Sequence, residues 1–169
     1  LSDDINTTVV TLKHYIAEAA ARIDKELEFA RQIQHSSLPC VFPPYPNRKD
    51  FSIYASMDTA REVGGDFYDF YLLGEDKLAF LVADVSGKGI PGALLIMRSK
   101  TLLRNLAESG RAIAEVFTEA NNALHATNAA ETFLTACLGA RDLRSRLLTE
   151  AIAGHNPPRP RQTQGDTSS

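Results

Sequence analysis

The stretch DFYDFYLLGEDKLAFLVAD, which runs from Asp66 to Asp84, decides the fold. Its two β-rich runs, Phe67 to Leu72 and Lys77 to Ala83, flank a turn that contains Gly and Asp. Aromatic and branched residues on both sides of such a turn predict a two-stranded antiparallel hairpin. A turn centred on Glu75 places Asp66 directly opposite Asp84, on a face that they share with apolar side chains.

The two facing carboxylates are the strongest functional signal in the chain. Their Cβ atoms would lie roughly 5 Å apart, where two negative charges repel by about 3 kcal/mol at an effective dielectric of ~20. A cation between them removes this repulsion, and hard divalent ions such as Mg²⁺ and Mn²⁺ prefer carboxylate oxygens. Asp66 and Asp84 are therefore predicted metal ligands. The alternative is that each aspartate only forms a turn or caps a helix, and a register shifted by one residue would place them on different faces.

Asp69 lies in the same hairpin but falls on the opposite face in this register. We expect it either to hold the metal ligands in place without contacting the metal itself or to be a hydrogen-bonded structural carboxylate. No side chain is predicted to act as a nucleophile, because Ser86 is not in a GxSxG context and both cysteines are in structural settings. A Ca²⁺-binding structural domain is disfavoured, since no EF-hand ligand spacing is present.

Composition excludes several classes of protein. The chain has 169 residues, of which 44% are hydrophobic, and a formal net charge of -3, so we expect one domain with an appendage and no nucleic-acid partner. Cys40 and Cys137 are far apart and lack CxxC spacing, which indicates reduced thiols and a cytoplasmic location. No run of 18 apolar residues is present, so no membrane span is predicted.

The N-terminal residues 1–38 are predicted to form a long helix that acts as a linker. Its apolar residues follow a heptad-like seam and then slip in phase near Glu26, as in a stutter. These seam residues are Ile5, Val9, Leu12, Ile16, Ala19 and Ile23. Such a helix either folds back onto its own domain or pairs with a second helix, and we favour a homodimer or a stalk that connects to an upstream module.

Residues 39–159 are predicted to form the main domain, and residues 160–169 a disordered tail. Besides the hairpin, we expect a strand over Phe51–Met57, helices over Ala93–Leu106 and Ala112–His125, and strands over Thr132–Leu138 and Leu147–Ile152. The loop that follows Asp84 is rich in glycine and contains Lys88. It is not a Walker A motif, and its two open interpretations are an anion-binding loop and a plain tight turn.

Four segments together resemble one known family. They are EFARQIQ at positions 28–34, REVGGDFYD at 61–69, ADVSGKGIPGA at 83–93 and AGHNPP at 153–158. In this order they resemble the PPM-type metal-dependent phosphatases of the bacterial sporulation-protein-E and sigma-regulator class. The resemblance covers roughly residues 25–158.

The resemblance implies an α+β fold, an α-β-β-α sandwich of two antiparallel sheets flanked by helices. It implies two Mn²⁺ or Mg²⁺ ions and the hydrolysis of phosphoserine or phosphothreonine on a protein by metal-activated water, without a covalent phosphoenzyme. The implied partner is a phosphorylated regulatory protein such as a STAS-type anti-sigma-factor antagonist, and the N-terminal helix matches a dimerising linker.

The same resemblance assigns the site residues. Asp66 and Asp84 match metal-ligand aspartates, and Val85 matches the position whose backbone carbonyl binds a metal. The remaining candidates are expected in loops around the site or in supporting contacts, and they are Gly65, Gly87, Gly89, His155 and Asn156.

The family domain continues beyond the AGHNPP motif with further metal-binding aspartates. In this chain Asp166 is the only carboxylate after this motif, Asp142 and Glu150 lie shortly before it, and none of the three is in a matching context. We therefore expect a domain that lacks its C-terminal part and holds one ion or none. The alternative function is a catalytically incomplete module that binds a partner or dimerises through the N-terminal helix and free sheet edges.

Overall fold

A computed structural model describes residues 2–57, 65–87, 89–126 and 132–159. Its elements, in chain order, are α1 (Ser2–Ser37), β1 (Asp66–Leu73), β2 (Lys77–Val85), α2 (Ile90–Glu108), α3 (Ile113–His125), β3 (Leu134–Asp142) and β4 (Leu148–Ala153). The predicted α+β class is confirmed. Several predictions concern positions outside the described residues, namely 61–64 of the second motif, Lys88 and the predicted disordered tail at 160–169.

The four strands form one antiparallel sheet in the order β1-β2-β3-β4. The predicted hairpin register is confirmed, since Asp66 pairs with Asp84 and Leu72 with Leu78. Side chains alternate between the two faces of a sheet, so Phe67, Asp69 and Tyr71 of β1 share the face opposite to the acidic pair.

Helices α2 and α3 cover this second face and form the core with it. The core contains buried aromatic and branched side chains from the sheet, from α2 and from α3. They are Phe67, Tyr71, Leu81, Ile96, Leu103, Val116 and Leu138. Helix α2 starts after Gly89 with Pro91 in its first turn, as predicted, because proline lacks the N–H that the first turn leaves unpaired. The burial of the apolar residues fixes which face of the sheet points away from solvent.

The other face of the sheet carries the acidic pair and contacts the segment that links α1 to β1. The ring centroids of Phe42 and Phe70 lie 5.7 Å apart, and the Tyr68 hydroxyl donates to Pro39 O at 2.7 Å. This linker segment therefore covers part of the face near the middle of β1.

The predicted strand over Phe51–Met57 is wrong, because these residues belong to no strand. This segment and the residues just before it instead make local contacts. Arg48 donates to the Asp50 carboxylate, and the Tyr45 and Phe51 rings meet edge to face at 5.6 Å. Its alternating pattern matches its burial, because the odd-numbered positions of 51–57 are half-buried and the even-numbered ones are exposed, without strand pairing.

Helix α1 is long and mostly exposed. Its last third packs on α2, where Leu27 and Ala30 meet Ala93. The predicted seam upstream is exposed, including Val9 and Ile16, so this part of α1 does not fold back onto the described residues. No helix in the described part of the chain is long and apolar enough to cross a membrane.

Candidate active site

Asp66 and Asp84 form the centre of the candidate site. The Val85 N–H donates to Gly65 O at 2.9 Å, and this hydrogen bond flanks the Asp66–Asp84 pair. The two aspartates therefore occupy a non-hydrogen-bonded pair, the type in which opposing Cα atoms approach to about 4.5 Å and side chains are closest. The backbone geometry thus favours close approach of the two carboxylates.

The electrostatics of the pair reflect this proximity. The pKa of Asp66 is raised, first because its carboxyl is partly desolvated, then because of the negative charge of Asp84 and a hydrogen bond between the two carboxyl groups, while the charge of His155 opposes the shift. Asp66 as a whole residue is exposed. A carboxyl whose pKa is raised by a neighbouring negative charge indicates a site that favours a proton or another cation.

The lack of a side chain at Gly65 lets the backbone carbonyl of Val85 lie next to the acidic pair. A Cβ atom at position 65 would lie 2.2 Å from Val85 O and 3.0 Å from Asp84 Oδ1. Only glycine fits there, and the space that its missing side chain leaves is bordered by two oxygen atoms of the predicted ligand residues. The loop between β2 and α2 contains Gly87 (φ 110°) and Gly89 (φ 77°). Both have a positive φ, which residues with a Cβ rarely adopt.

His155 lies at the same end of the sheet. Thr135 is the β3 partner of Asp84, and its Oγ1 lies 3.1 Å from His155 Nδ1. Gly154, just before the histidine, forms a bridge with Ala136. The end of β4 thereby brings His155 near the acidic pair, whereas Asn156 is exposed.

Asp69 is separated from the acidic pair, on the face that packs against α2. Its carboxylate is fully buried and lies 3.1 Å from Lys100 Nζ and 3.7 Å from Arg104 Nη1. Its Oδ1 also accepts a hydrogen bond from Phe70 N at 3.0 Å. Of its two expected roles, these contacts fit the structural carboxylate.

Sequence reasoning missed Gln34 and Thr135. Gln34 is buried, with 1% exposure, and its Nε2 donates to Asp66 O at 3.0 Å. A signal was present, since Gln34 follows Leu27 and Ala30 at helical spacing on the buried stripe of α1. Thr135 could have been found only from the register of β3 against β2.

The oxygen donors at the site fit a hard divalent cation. Two carboxylates and the Val85 carbonyl are the ligand types that Mg²⁺ and Mn²⁺ prefer, and Gly65 leaves the space beside two of these oxygens open. Among residues 2–57, 65–87, 89–126 and 132–159, no group of three or more His, Cys, Asp or Glu side chains could hold a metal ion. The described oxygen donors, two carboxylates and one carbonyl, therefore make a partial ligand set for a hard cation.

Comparison with known proteins identifies the family. The sequence model of Stage II sporulation protein E (SpoIIE) matches residues 74–169, which is more than half of the chain. The chain belongs to the SpoIIE family. The predicted resemblance to the PPM-type phosphatases of this class is thus confirmed.

Several relatives are similar to this SpoIIE-family chain. Protein IcfG of Synechocystis sp. is 33% identical, and the match covers 78% of this chain and 25% of that protein. Phosphoserine phosphatase RsbU of Bacillus subtilis is 29% identical, with 80% of this chain and 39% of RsbU covered. The chain therefore spans well under half the length of these curated relatives.

Solved structures support the same assignment. The SiaA-PP2C domain of Pseudomonas aeruginosa has a TM-score of 0.62 and 28% identity, and the match covers 80% of this chain and 55% of that one. The RsbU and RsbW domains of Rv1364c from Mycobacterium tuberculosis give a TM-score of 0.51 and 30% identity over 61% of this chain and 28% of that one. The SpoIIE-family chain is accordingly of the PP2C type.

Proposed function

We propose that this chain carries metal-binding aspartates of a protein serine/threonine phosphatase, which hydrolyses phosphoserine or phosphothreonine on a regulatory phosphoprotein. The observation that carries this proposal is the close, non-hydrogen-bonded pairing of Asp66 with Asp84 beside the Val85 carbonyl. Membership in the SpoIIE family supports it.

We propose Asp66, Asp84 and the Val85 carbonyl as the ligands of one Mn²⁺ or Mg²⁺ ion. When bound, such an ion would lower the pKa of a water ligand and neutralise phosphoryl oxygens. The role of the protein is to hold two negative charges close together on a rigid hairpin, so that they accept a cation without rearranging. We propose that His155, held by Thr135, contacts the phosphorylated side chain, and no side chain is required as a nucleophile.

Turnover of p-nitrophenyl phosphate in Mn²⁺ tests the proposal. We expect measurable hydrolysis by the wild-type chain and a loss of at least about 100-fold in Asp84→Asn, because one of two anionic ligands is removed. Asp24→Asn is the matched control, since Asp24 is exposed on α1, and it should leave the rate unchanged. Equal rates in wild type and Asp84→Asn would contradict the proposed role of the pair.

Calorimetric titration with Mn²⁺ gives the number of ions. The described donor set predicts one ion per chain and none in Asp84→Asn. No binding to the wild-type chain would favour a non-catalytic binding module. Two ions would contradict the one-ion expectation and require ligands beyond the acidic pair.

For the substrate, we propose a phosphorylated regulator such as a STAS-type anti-sigma-factor antagonist. The support is that a relative is named phosphoserine phosphatase RsbU. Incubation with a serine-phosphorylated STAS domain should release phosphate at a higher kcat/KM than a phosphoserine peptide of the same sequence. Equal values for the two would show that the folded partner is not recognised.

A second candidate function is supported by the exposed seam of α1. We propose that residues 1–38 form a linker that makes the protein a homodimer, attached to a phosphatase domain at 39–159. Apolar residues exposed at heptad spacing, such as Val9 and Ile16, normally pack against a second helix.

Both cysteines are free thiols, which supports a cytoplasmic location.

A further inference from the structure

A row of polar side chains crosses the sheet at the end that carries the candidate site. Asp66 pairs with Asp84 on β2, and Asp84 pairs with Thr135 on β3. Paired residues of neighbouring antiparallel strands project from the same face of a sheet, so the Thr135 side chain follows the two carboxylates along one face. Its hydroxyl is the next oxygen group in the row, and the proposed metal site does not use it.

The chain turns after β4 and brings His155 to the end of this row. Strand β4 ends at Ala153, and Gly154 has a positive φ of 69°. A Cβ at Gly154 would lie 3.5 Å from Thr135 Cγ2, so the backbone packs against the methyl group of Thr135. The other branch of the same side chain, Oγ1, lies 3.1 Å from His155 Nδ1. Contacts on both branches hold the threonine in one rotamer and so hold its hydroxyl against the ring.

The imidazole of His155 also interacts with the acidic pair electrostatically. Burial and the charge of Asp84 raise the pKa of Asp66, and the charge of His155 opposes that shift. The ring therefore lies within electrostatic range of the two carboxylates. Thr135 and His155 are both half-buried, and partial exclusion of water strengthens the hydrogen bond between them.

The hydrogen bond at Nδ1 determines what Nε2 can do. A neutral imidazole has one donor nitrogen and one acceptor nitrogen, and the partner of one nitrogen sets the state of the other. When a threonine hydroxyl donates to Nδ1, the ring proton must be on Nε2. Nε2 is then an N–H donor, which is what contact with an acceptor oxygen of a phosphoryl group requires.

We propose that Thr135 is a positioning residue for His155, whose hydroxyl donates to Nδ1 and thereby keeps Nε2 as an N–H donor for the phosphoryl group of the substrate. This inference rests on the proposed function, in which His155 contacts the phosphorylated side chain. Thr135 needs no contact of its own with the ion or the substrate. Its effect passes through the imidazole, so it should vanish when His155 is replaced.

The test compares Thr135→Val, which keeps the shape of the side chain but removes the hydroxyl, with Thr135→Ser, which keeps the hydroxyl. Thr149→Val is the matched control, because Thr149 is exposed on β4 and pairs with Ala140 at the other end of the sheet. Thermal unfolding first establishes that the variants are folded. Long-range proton–nitrogen NMR of the metal-free chain then shows which ring nitrogen of neutral His155 carries the proton, and hydrolysis of a phosphoserine peptide in Mn²⁺ gives kcat/KM.

We expect the His155 ring to be in the Nε2–H form in wild type and in Thr135→Ser, and Thr135→Val to add a measurable fraction of the Nδ1–H form. The value of kcat/KM should fall about tenfold in Thr135→Val, recover in Thr135→Ser and stay unchanged in Thr149→Val. An Nδ1–H ring in the wild-type chain would overturn the inference. Ring nitrogen shifts that Thr135→Val leaves unchanged, or an unchanged kcat/KM in that variant, would overturn it as well.

A double variant separates positioning of the imidazole from support of the sheet. His155→Ala should itself lower kcat/KM, and Thr135→Val should lower it no further in that background, because residues that act through one contact are not additive. A second tenfold loss in the double variant would show that Thr135 acts independently of His155 and would overturn the inference. A wild-type chain with an Nε2–H ring but no turnover would instead contradict the proposed function, and with it the part of the inference that concerns the substrate.

Discussion

The ammonium group of Lys100 lies 3.1 Å from the carboxylate of Asp69, and the two side chains are 15% and 0% exposed. This ion pair crosses from α2 to β1, directly behind the face that carries the acidic pair. A buried carboxylate needs such a partner because the desolvation of an unpaired charge is costly. The pair therefore ties α2 to the strand from which Asp66 projects.

Removal of this partner should destabilise the fold. Lys100→Met leaves the Asp69 charge buried with Arg104 at 3.7 Å as its remaining cation, and we expect a loss of about 3 kcal/mol in the free energy of unfolding. Urea denaturation measures it. The double variant Asp69→Asn/Lys100→Met should recover most of this loss, because no charge is left unpaired. A cost below about 1 kcal/mol for Lys100→Met would show that Arg104 alone neutralises Asp69.

Gly65→Ala should weaken cation binding. The added Cβ would lie 2.2 Å from the Val85 carbonyl oxygen, so the loop that carries a predicted ligand must move. We expect the Kd for Mn²⁺ to rise by at least about tenfold. Gly74→Ala is the comparison variant, since Gly74 (φ 66°) is at the other end of the hairpin with nothing near its absent Cβ.

Gly74→Ala should cost about 1–2 kcal/mol through backbone strain and leave Mn²⁺ affinity unchanged. Calorimetry and thermal unfolding of the two variants separate the effects. Equal loss of affinity in both would attribute the effect of Gly65→Ala to general destabilisation.

The raised pKa of Asp66 predicts how the stability of the metal-free chain depends on pH. A group whose pKa is higher in the folded state contributes stability below its unfolded pKa, here 3.8, and loses that contribution as the pH rises through its folded pKa. At neutral pH the ionised pair is therefore destabilising. Asp66→Asn should raise the Tm by roughly 1–3 °C at pH 7, since exposed charges interact by less than about 1 kcal/mol.

Thermal unfolding across pH 3–8 checks this prediction. The advantage of Asp66→Asn should shrink as the pH falls towards 3.8, and saturating Mn²⁺ should reverse the order of the two chains. An Asp66→Asn chain that is less stable than wild type at pH 7 without metal would contradict it.

Adjacent valines on α1 offer a matched test of the proposed dimer. Val9 lies on the predicted seam and is 42% exposed, whereas Val10 lies off the seam and is 66% exposed. We expect Val9→Gln to raise the dimer dissociation constant by at least about tenfold, because it places a polar group in a helix–helix contact. Val10→Gln should have little effect. Sedimentation equilibrium measures both, and an equal effect of the two substitutions would argue against the seam.

The hairpin was the most predictable part of the fold, because the symmetric turn around Glu75 and the alternation of apolar residues determine its register. The strand ends were less predictable. Strand β3 was expected to end at Leu138 but reaches Asp142, which pairs with Lys77, and such pairing depends on a partner distant in sequence.

The site was predicted where its residues are close in sequence and missed where they are not. Gln34 reaches Asp66 only after α1 packs on α2, and no local pattern names its acceptor. Phe51–Met57 shows the opposite error, since its alternation resembles a strand but it pairs with none, and Phe51 packs on Tyr45. Periodicity reports which residues are buried, not what covers them.

Both acids lie within one hairpin, 18 positions apart. Closing so short a loop costs little chain entropy and is fast. Formation of the β1–β2 hairpin is therefore enough to bring the two acids together, without any helix. The ligand pair thus depends on a contact that is local in sequence, whereas the helices that support it, α1 and α2, are brought there by contacts between distant residues.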